Sequence, residues 1–240
     1  MDIRDKELDG MFAGSRIEDG EGDLVIPAEA NTFEGFQRWA QSEVFPLRGH
    51  ICYLDGTVEV DLAPRDLYTH GVVKTEIFGQ LYPLVEKTSW GNVFVDTRIG
   101  CSFARFSVEP DITVVLWVSL ESGWVGEVPA PGRENGHYIG LEGAPDLVVE
   151  VVSDSSACRD FKFLPAFYER AGIPELWMVD ARRESLLFEI RGLGPDGYQV
   201  LPADGEGWIS SPVLGYRFRL RRSRGQMGRW RYELEHAPEM

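Results

Sequence analysis

The sequence predicts an α/β chain, α+β in its element order, built on a central mixed β-sheet flanked by helices, with extra strands at its C-terminal end. Three observations predict it. Periodic segments run in the order hairpin, helix, several strands, helix, more strands, which suits a mixed sheet rather than a bundle or a sandwich. The run APDLVVEVV is short, β-branched and apolar on both alternations, as in a strand covered on both faces. At 240 residues, 43% apolar and 26% charged, the chain is ordinary for a globular domain and long enough to bury a sizeable core.

Each element has a local reason. Residues 1–26 are rich in Asp, Glu and Gly without sustained period and read as a flexible acidic leader. The domain is expected over 27–222, followed by a C-terminal strand and tail over 223–240. Thr32 can cap a helix over FEGFQRWAQSE, where Phe36, Trp39 and Ala40 recur at helical spacing. Asp55-Gly56 separates two alternating runs and predicts a tight hairpin. DLYTHGVVKTEIFGQLYPLVEK carries Val73, Ile77, Leu81 and Leu84 on one helical face. NVFVDTRIGCSFA and DITVVLWV read as strands, and residues 119–140, rich in Gly, Pro and Glu, as a loop or excursion. SSACRDFKFLPAFYERAG reads as a helix capped at Ser155 or Ser156 and stopped at Gly172, with Pro165 forcing a kink or a late start. PELWMVD and SLLFEIRG are further strands. GLGPDG fits a G-x-G-x-x-G pattern but leads into a strand, so it reads as a hairpin turn rather than a phosphate loop.

Composition excludes several classes. No apolar run reaches the length of a membrane span, and the start lacks the apolar core of a signal peptide, so no membrane partner and a cytoplasmic location are the expectation. Cys52, Cys101 and Cys158 are too few and scattered for a disulfide framework, and the four His are too dispersed for a zinc triad. No serine sits in a nucleophile elbow. The net charge of −15 counts against a general nucleic-acid binder but leaves room for a local basic face. The one cationic stretch runs from Arg217 to Glu233. It suits an edge strand protected by charge or, less well in an acidic chain, a surface that tracks a phosphate backbone.

Two acids stand out because they adjoin core strands. Glu150 sits among Val148, Val149, Val151 and Val152, and Asp111 opens the apolar run DITVV. A carboxylate in such a place is costly unless it is paired or holds a cation. Two carboxylates at strand ends can share Mg²⁺, which keeps several waters of its own. The plain alternative is a turn acid at Asp111 and an Arg-paired Glu150.

The order EPDITVV, then PDLVVEVVSDSS, Asp160, Tyr168 and AGIPELWMVD, preceded by LDGTVEVDLAP and THGVVKTEI, resembles the Uma-type branch of the PD-(D/E)XK nuclease superfamily. The resemblance spans roughly residues 32–180 and rests on order and spacing more than on any single piece. It implies a restriction-endonuclease-like core and an endonuclease that hydrolyses DNA phosphodiester bonds with Mg²⁺ or Mn²⁺. Asp111 and Glu150 would be the motif acids and metal ligands. Glu59 would be an additional acid at the metal, and His70 would sit beside the same site. Pairing of two copies as a homodimer would suit cleavage of both strands. One departure matters: the motif's Lys position holds Val152, and the branch's commoner Lys position, four before Tyr168, holds Leu164. Arg159 and Lys162, three apart on one helix face, are the replacement cations the sequence offers. Arg can hold a phosphate but does not deprotonate to act as a base. The missing Lys and the acidic charge leave open a second reading, a catalytically impaired member acting as a binding or accessory module.

Overall fold

The computed structural model describes residues 15–18, 23–133 and 136–239. Of the expected leader, residues 1–14 and 19–22 lie outside the described residues, while β1 (Ser15–Glu18) pairs antiparallel with β2 (Asp23–Ile26). Helix α1 (Phe33–Ala40) begins where the cap predicts: the Thr32 hydroxyl accepts the Gly35 N–H at 3.1 Å. Its Phe33, Phe36 and Trp39 pack on Ile51 and Tyr53. Strands β3 (His50–Leu54) and β4 (Thr57–Asp61) close on Asp55 and Gly56, whose φ of 45° and 94° give the tight turn that Asp-Gly favours.

A π-turn over Leu67–Gly71 opens helix α2 (Val72–Lys87), which buries Val73, Ile77, Leu81 and Leu84 as its periodicity requires. Next come β5 (Gly91–Val95) and β6 (Ile99–Cys101), separated by Asp96 at φ 47°. That turn sends the two halves of one apolar run into different sheets. Then follow β7 (Phe106–Val108), β8 (Ile112–Leu116) and the short helix α3 (Trp117–Glu121). The stretch expected as a loop instead contributes β9 (Val125–Pro129) and the start of β10 (Tyr138–Gly143). It looks loop-like in sequence because β9 is an edge strand that buries only Val125.

After β11 (Leu147–Val151), helical residues begin at Ala157, pass through a π-turn over Arg159–Phe163, where the Leu164 N–H reaches the Arg159 carbonyl, and continue as α4 (Leu164–Ala171), so Pro165 lies inside the helix beside a break in its α ladder and the start is not late. Gly172 ends it in the left-handed region, at φ 84°. The chain finishes with β12 (Glu175–Asp180), β13 (Leu187–Gly194), β14 (Gly197–Val200), β15 (Ile209–Ser211), β16 (Tyr216–Arg224) and β17 (Trp230–Pro238). The GLGPDG segment is the β13–β14 hairpin.

The first six-stranded sheet runs β14-β13-β12-β11-β8-β5, with β11 and β12 parallel and the other neighbours antiparallel. The second runs β4-β3-β7-β6-β10-β9. In the third, β15-β16-β17, β15 covers only Tyr216–Phe218 of the Arg-rich β16, so from Arg219 on that strand is paired on one side only, and β17 forms the sheet's other edge. Leu147, Val149 and Val151 face a core shared with α2 and the third sheet. Val148 and Val152 face a core shared with the second sheet and α4. Strand alternation therefore turns Glu150 toward the second of these.

Candidate active site

The site grows from the β8–β11 pair. Its register matches Val148 with Thr113 and Val149 with Ile112. One step further would set Asp111 opposite Glu150, on the face toward the second sheet. The ladder stops there because the Asp111 carboxylate takes the Val151 N–H itself, at 2.8 Å. Two buried acids thus end adjacent strands.

Helix α2 and its π-turn supply the groups facing Asp111. His70 Nε2 lies 3.3 Å and Lys74 Nζ 3.2 Å from the same oxygen, Asp111 Oδ1. The two sit four apart on one helix face, and Lys74 is also bonded to Asp96. Burial alone would raise the Asp111 pKa, but His70, Lys74 and the Val151 N–H together hold it below the usual carboxylate value. Burial likewise works to lower Lys74, and Asp111 and Asp96 outweigh it. Nothing in the sequence pattern singles out Lys74 except its spacing from His70.

Asp66 fixes the entry of this helix. Its carboxylate accepts the N–H groups of Tyr68 at 2.8 Å and Thr69 at 2.7 Å. These bonds, that of Thr69 first, hold its pKa below the usual value. Asp66→Ala is expected to cost about 1 kcal/mol, as for a lost N-cap. The sign follows from a lowered acid. The contribution is present above the ordinary carboxyl range and fades as pH falls through the lowered folded value. Melts of wild type and variant should therefore converge in acid, and a constant gap across pH would count against this cap.

Glu150 has a different environment. The Tyr168 hydroxyl donates to Glu150 Oε1 at 2.5 Å. Burial, then Asp160, then Asp111 drive its pKa well above the usual value, and the Tyr168 bond and Arg159 offset only part of that. Asp160 is itself pushed up to about 6, chiefly by burial, although Arg159 Nε stands 3.2 Å from its Oδ1. Three buried acids therefore raise one another's cost, with Arg159 their shared counter-charge on this side.

A narrow cavity opens onto Glu150 and Arg159, walled by His50, Cys52, Glu109 and Leu164. It offers about 20 Å³, room on the order of one water or small ion. His50 is a wall residue that sequence spacing could not reveal, because β3 reaches the site only through sheet pairing. Burial lowers its pKa.

The expected residues thus separate. Asp111, His70, Glu150 and Arg159 gather around the ends of β8 and β11. Glu59 pairs in register with Cys52, so it lies on the cavity side of the β3–β4 hairpin, and it bonds to no other described side chain. Lys162 is exposed and does not line the cavity. Among the described residues, no three His, Cys, Asp or Glu side chains converge closely enough to form a metal cluster, so Glu59 does not join Asp111 and Glu150 as a third ligand in this geometry. The Lys slots of the motif are filled by buried Val152 and Leu164. Among the described residues no helix is long and apolar enough to cross a membrane.

Comparison with known proteins agrees with this architecture. No curated relative matches the chain. Among solved structures, the crystal structure of a putative nuclease belonging to DUF820 from Anabaena variabilis ATCC 29413 is similar, with 17% identity and a TM-score of 0.55 over 76% of this chain and 90% of that one. That likeness gives the restriction-endonuclease-like fold. Residues 33–222 match the family described as Uma2, putative restriction endonuclease, and the chain belongs to that family.

Proposed function

We propose that the chain is a Mg²⁺-dependent endonuclease acting on DNA phosphodiester bonds, with Asp111 and Glu150 as the metal-holding pair. One observation carries the reading: two buried carboxylates end adjacent strands, and Glu150, pressed by Asp160 and Asp111, lacks the full counter-charge its burial calls for. Such a donor set fits a divalent cation, which needs only one or two protein carboxylates when waters complete its shell. Mn²⁺ takes the same oxygen donors. When bound, the cation supplies charge beside the scissile phosphate and lowers the pKa of water.

The chain's own groups do the rest. The Val151 N–H and His70 orient Asp111. Tyr168 fixes one oxygen of Glu150. Lys74 and Arg159 bring positive charge to the two acids from opposite elements, where the motif would have used a single Lys. Both cations are already engaged by carboxylates, Lys74 by Asp111 and Asp96 and Arg159 by Asp160; Lys74 is the one that stands directly on the Asp111 carboxylate and so beside the charge a reacting phosphate would develop there. Glu59 adds an acid on the cavity side, and Lys162 remains a peripheral cation. The fold alone does not require one copy to act with another, but a homodimer would suit cutting both strands.

A Mg²⁺ titration of wild type tests this. At ten times its dissociation constant an ion bound only by the native state adds about 1.4 kcal/mol. For a domain of this size that moves Tm by about 3–6 °C. The shift should come with nicking of supercoiled plasmid over the same ion range. Neither shift nor nicking at millimolar Mg²⁺ or Mn²⁺ would sink the reading. A shift without nicking would favour the second reading, a non-catalytic binding module, for which buried Val152 in the Lys slot speaks.

A further inference from the structure

We infer that the tip of the β16–β17 hairpin is a phosphate-backbone grip that seats nucleic acid beside the acidic site. This rests on the nucleic-acid reading above and adds the surface that does the holding. From Tyr216 to Arg231 the chain has seven arginines and no acid, inside a protein of net charge −15. No such run is needed for packing. The inward residues of the two strands, Phe218, Leu220, Tyr232 and Leu234, already seal that face against α2.

The arginines are held ready by aromatic rings. Trp230 carries Arg222 at 4.0 Å and Arg224 at 3.2 Å from its ring centre. Arg229 lies over Tyr68 at 5.2 Å. Stacking fixes the plane of a guanidinium and leaves its N–H edge to donate. Arg222 spends that edge on the loop after β12, and Arg224 on Gly228 and Glu184, so they brace the tip, whereas Arg229 keeps its edge outward. Toward the base of the hairpin, Arg219 and Arg221 are paired with Glu235. At the tip, Arg229 and Arg231 are exposed and have no carboxylate within ion-pair distance among the described residues. The positive charge is therefore most available at the tip.

The tip also stands next to the site. Tyr68 lies two residues before His70, in the π-turn that opens α2. Arg222 donates to the carbonyl oxygens of Ala181 and Glu184, just past the end of β12. Arg182, in that same loop, reaches Asp154, which follows the end of β11. The hairpin tip, the π-turn and the loops beyond β11 and β12 thus share one end of the molecule with Asp111 and Glu150. An acidic protein with one arginine collar around its carboxylate site fits a polyanion that must approach those carboxylates.

The test is binding of a fluorescein-labelled DNA duplex of arbitrary sequence, followed by anisotropy with Ca²⁺ in place of Mg²⁺ across a salt series. The hairpin variant is Arg229→Ala/Arg231→Ala. The control is Arg38→Ala/Arg133→Ala, which removes the same charge from exposed positions elsewhere. Thermal melts verify that all are folded. The hairpin variant is expected to weaken binding and to flatten the salt slope by about 2, near 0.9 per lost phosphate contact, while the control binds as wild type. Equal binding by wild type and hairpin variant, equal weakening by the control, or no duplex binding by wild type would overturn the inference. So would hairpin-dependent binding of polyglutamate in preference to DNA, which would assign the surface to an acidic protein. Hairpin-dependent binding without cleavage in Mg²⁺ would uphold the grip and sink the nuclease reading. Cleavage with hairpin-independent binding would do the reverse.

Discussion

Lys74→Met is expected to lower Mg²⁺-dependent DNA cleavage about 10²- to 10³-fold, the loss seen when one preorganised charge donor is removed from a reaction centre. The same change at Lys162 is expected to leave the rate as it was. The contrast follows from position. Lys74 Nζ sits 3.2 Å from Asp111 and is largely buried, whereas Lys162 is exposed and outside the cavity. The loss should fall on kcat and spare KM, because Lys74 is argued to act on charge that develops during reaction rather than on ground-state binding. Asp111 keeps His70 and the Val151 N–H in the variant, so the Mg²⁺-linked rise in Tm should persist. That persistence separates a lost charge from a collapsed site. Equal single-turnover rates for wild type and Lys74→Met would return the role to Arg159 or remove the need for a Lys.

Local chemistry made much of the fold readable. Thr32, Asp55-Gly56, Gly172 and the α2 periodicity each act through neighbours close in sequence, so the pattern alone places them. The strand that failed to read has a near partner but little burial. β9 buries one side chain, and its pairing with β10 is what makes it a strand. β16 alternates like an edge strand and, beyond the three residues that β15 covers, is paired only by β17. The site divides as well. Asp111 and Glu150 are legible because acids next to buried apolar runs are conspicuous. Lys74 is not, because its value comes from the packing of α2 against the end of β8. Sequence reasoning placed the replacement cation on the helix after β11, where the family motif directs attention. The structure offers Arg159 there, tied to Asp160, and adds Lys74 from the other side.

Glu150→Gln is expected to make the metal-free protein more stable while removing its Mg²⁺ response and its cleavage. Most substitutions of a buried residue destabilise, so the sign is the test. Gln has the size of Glu, and its carbonyl oxygen can still accept the Tyr168 hydroxyl that now stands 2.5 Å from Oε1. What disappears is the cost of burying a carboxyl group beside Asp160 and Asp111, which the folded protein meets by holding the charge or by taking up a proton. Removing it in EDTA should gain about 1 kcal/mol, within the range of single stabilising changes, or about 2–4 °C in Tm. With Mg²⁺ the order should invert, because wild type gains the ion's binding energy and the variant does not. Cleavage should drop by at least about 10³-fold, the scale of losing several kcal/mol of cation-derived stabilisation. The competing view makes Glu150 a structural acid, held by Tyr168 and balanced by Arg159. On that view the variant leaves Arg159 with less counter-charge, melts lower in EDTA, and responds to Mg²⁺ as wild type does. A buried carboxylate that lowers stability when the ion is absent and raises it when the ion is present is one kept for the ion. The crossing of the two melting curves is the measurement that distinguishes it from a carboxylate kept for the fold.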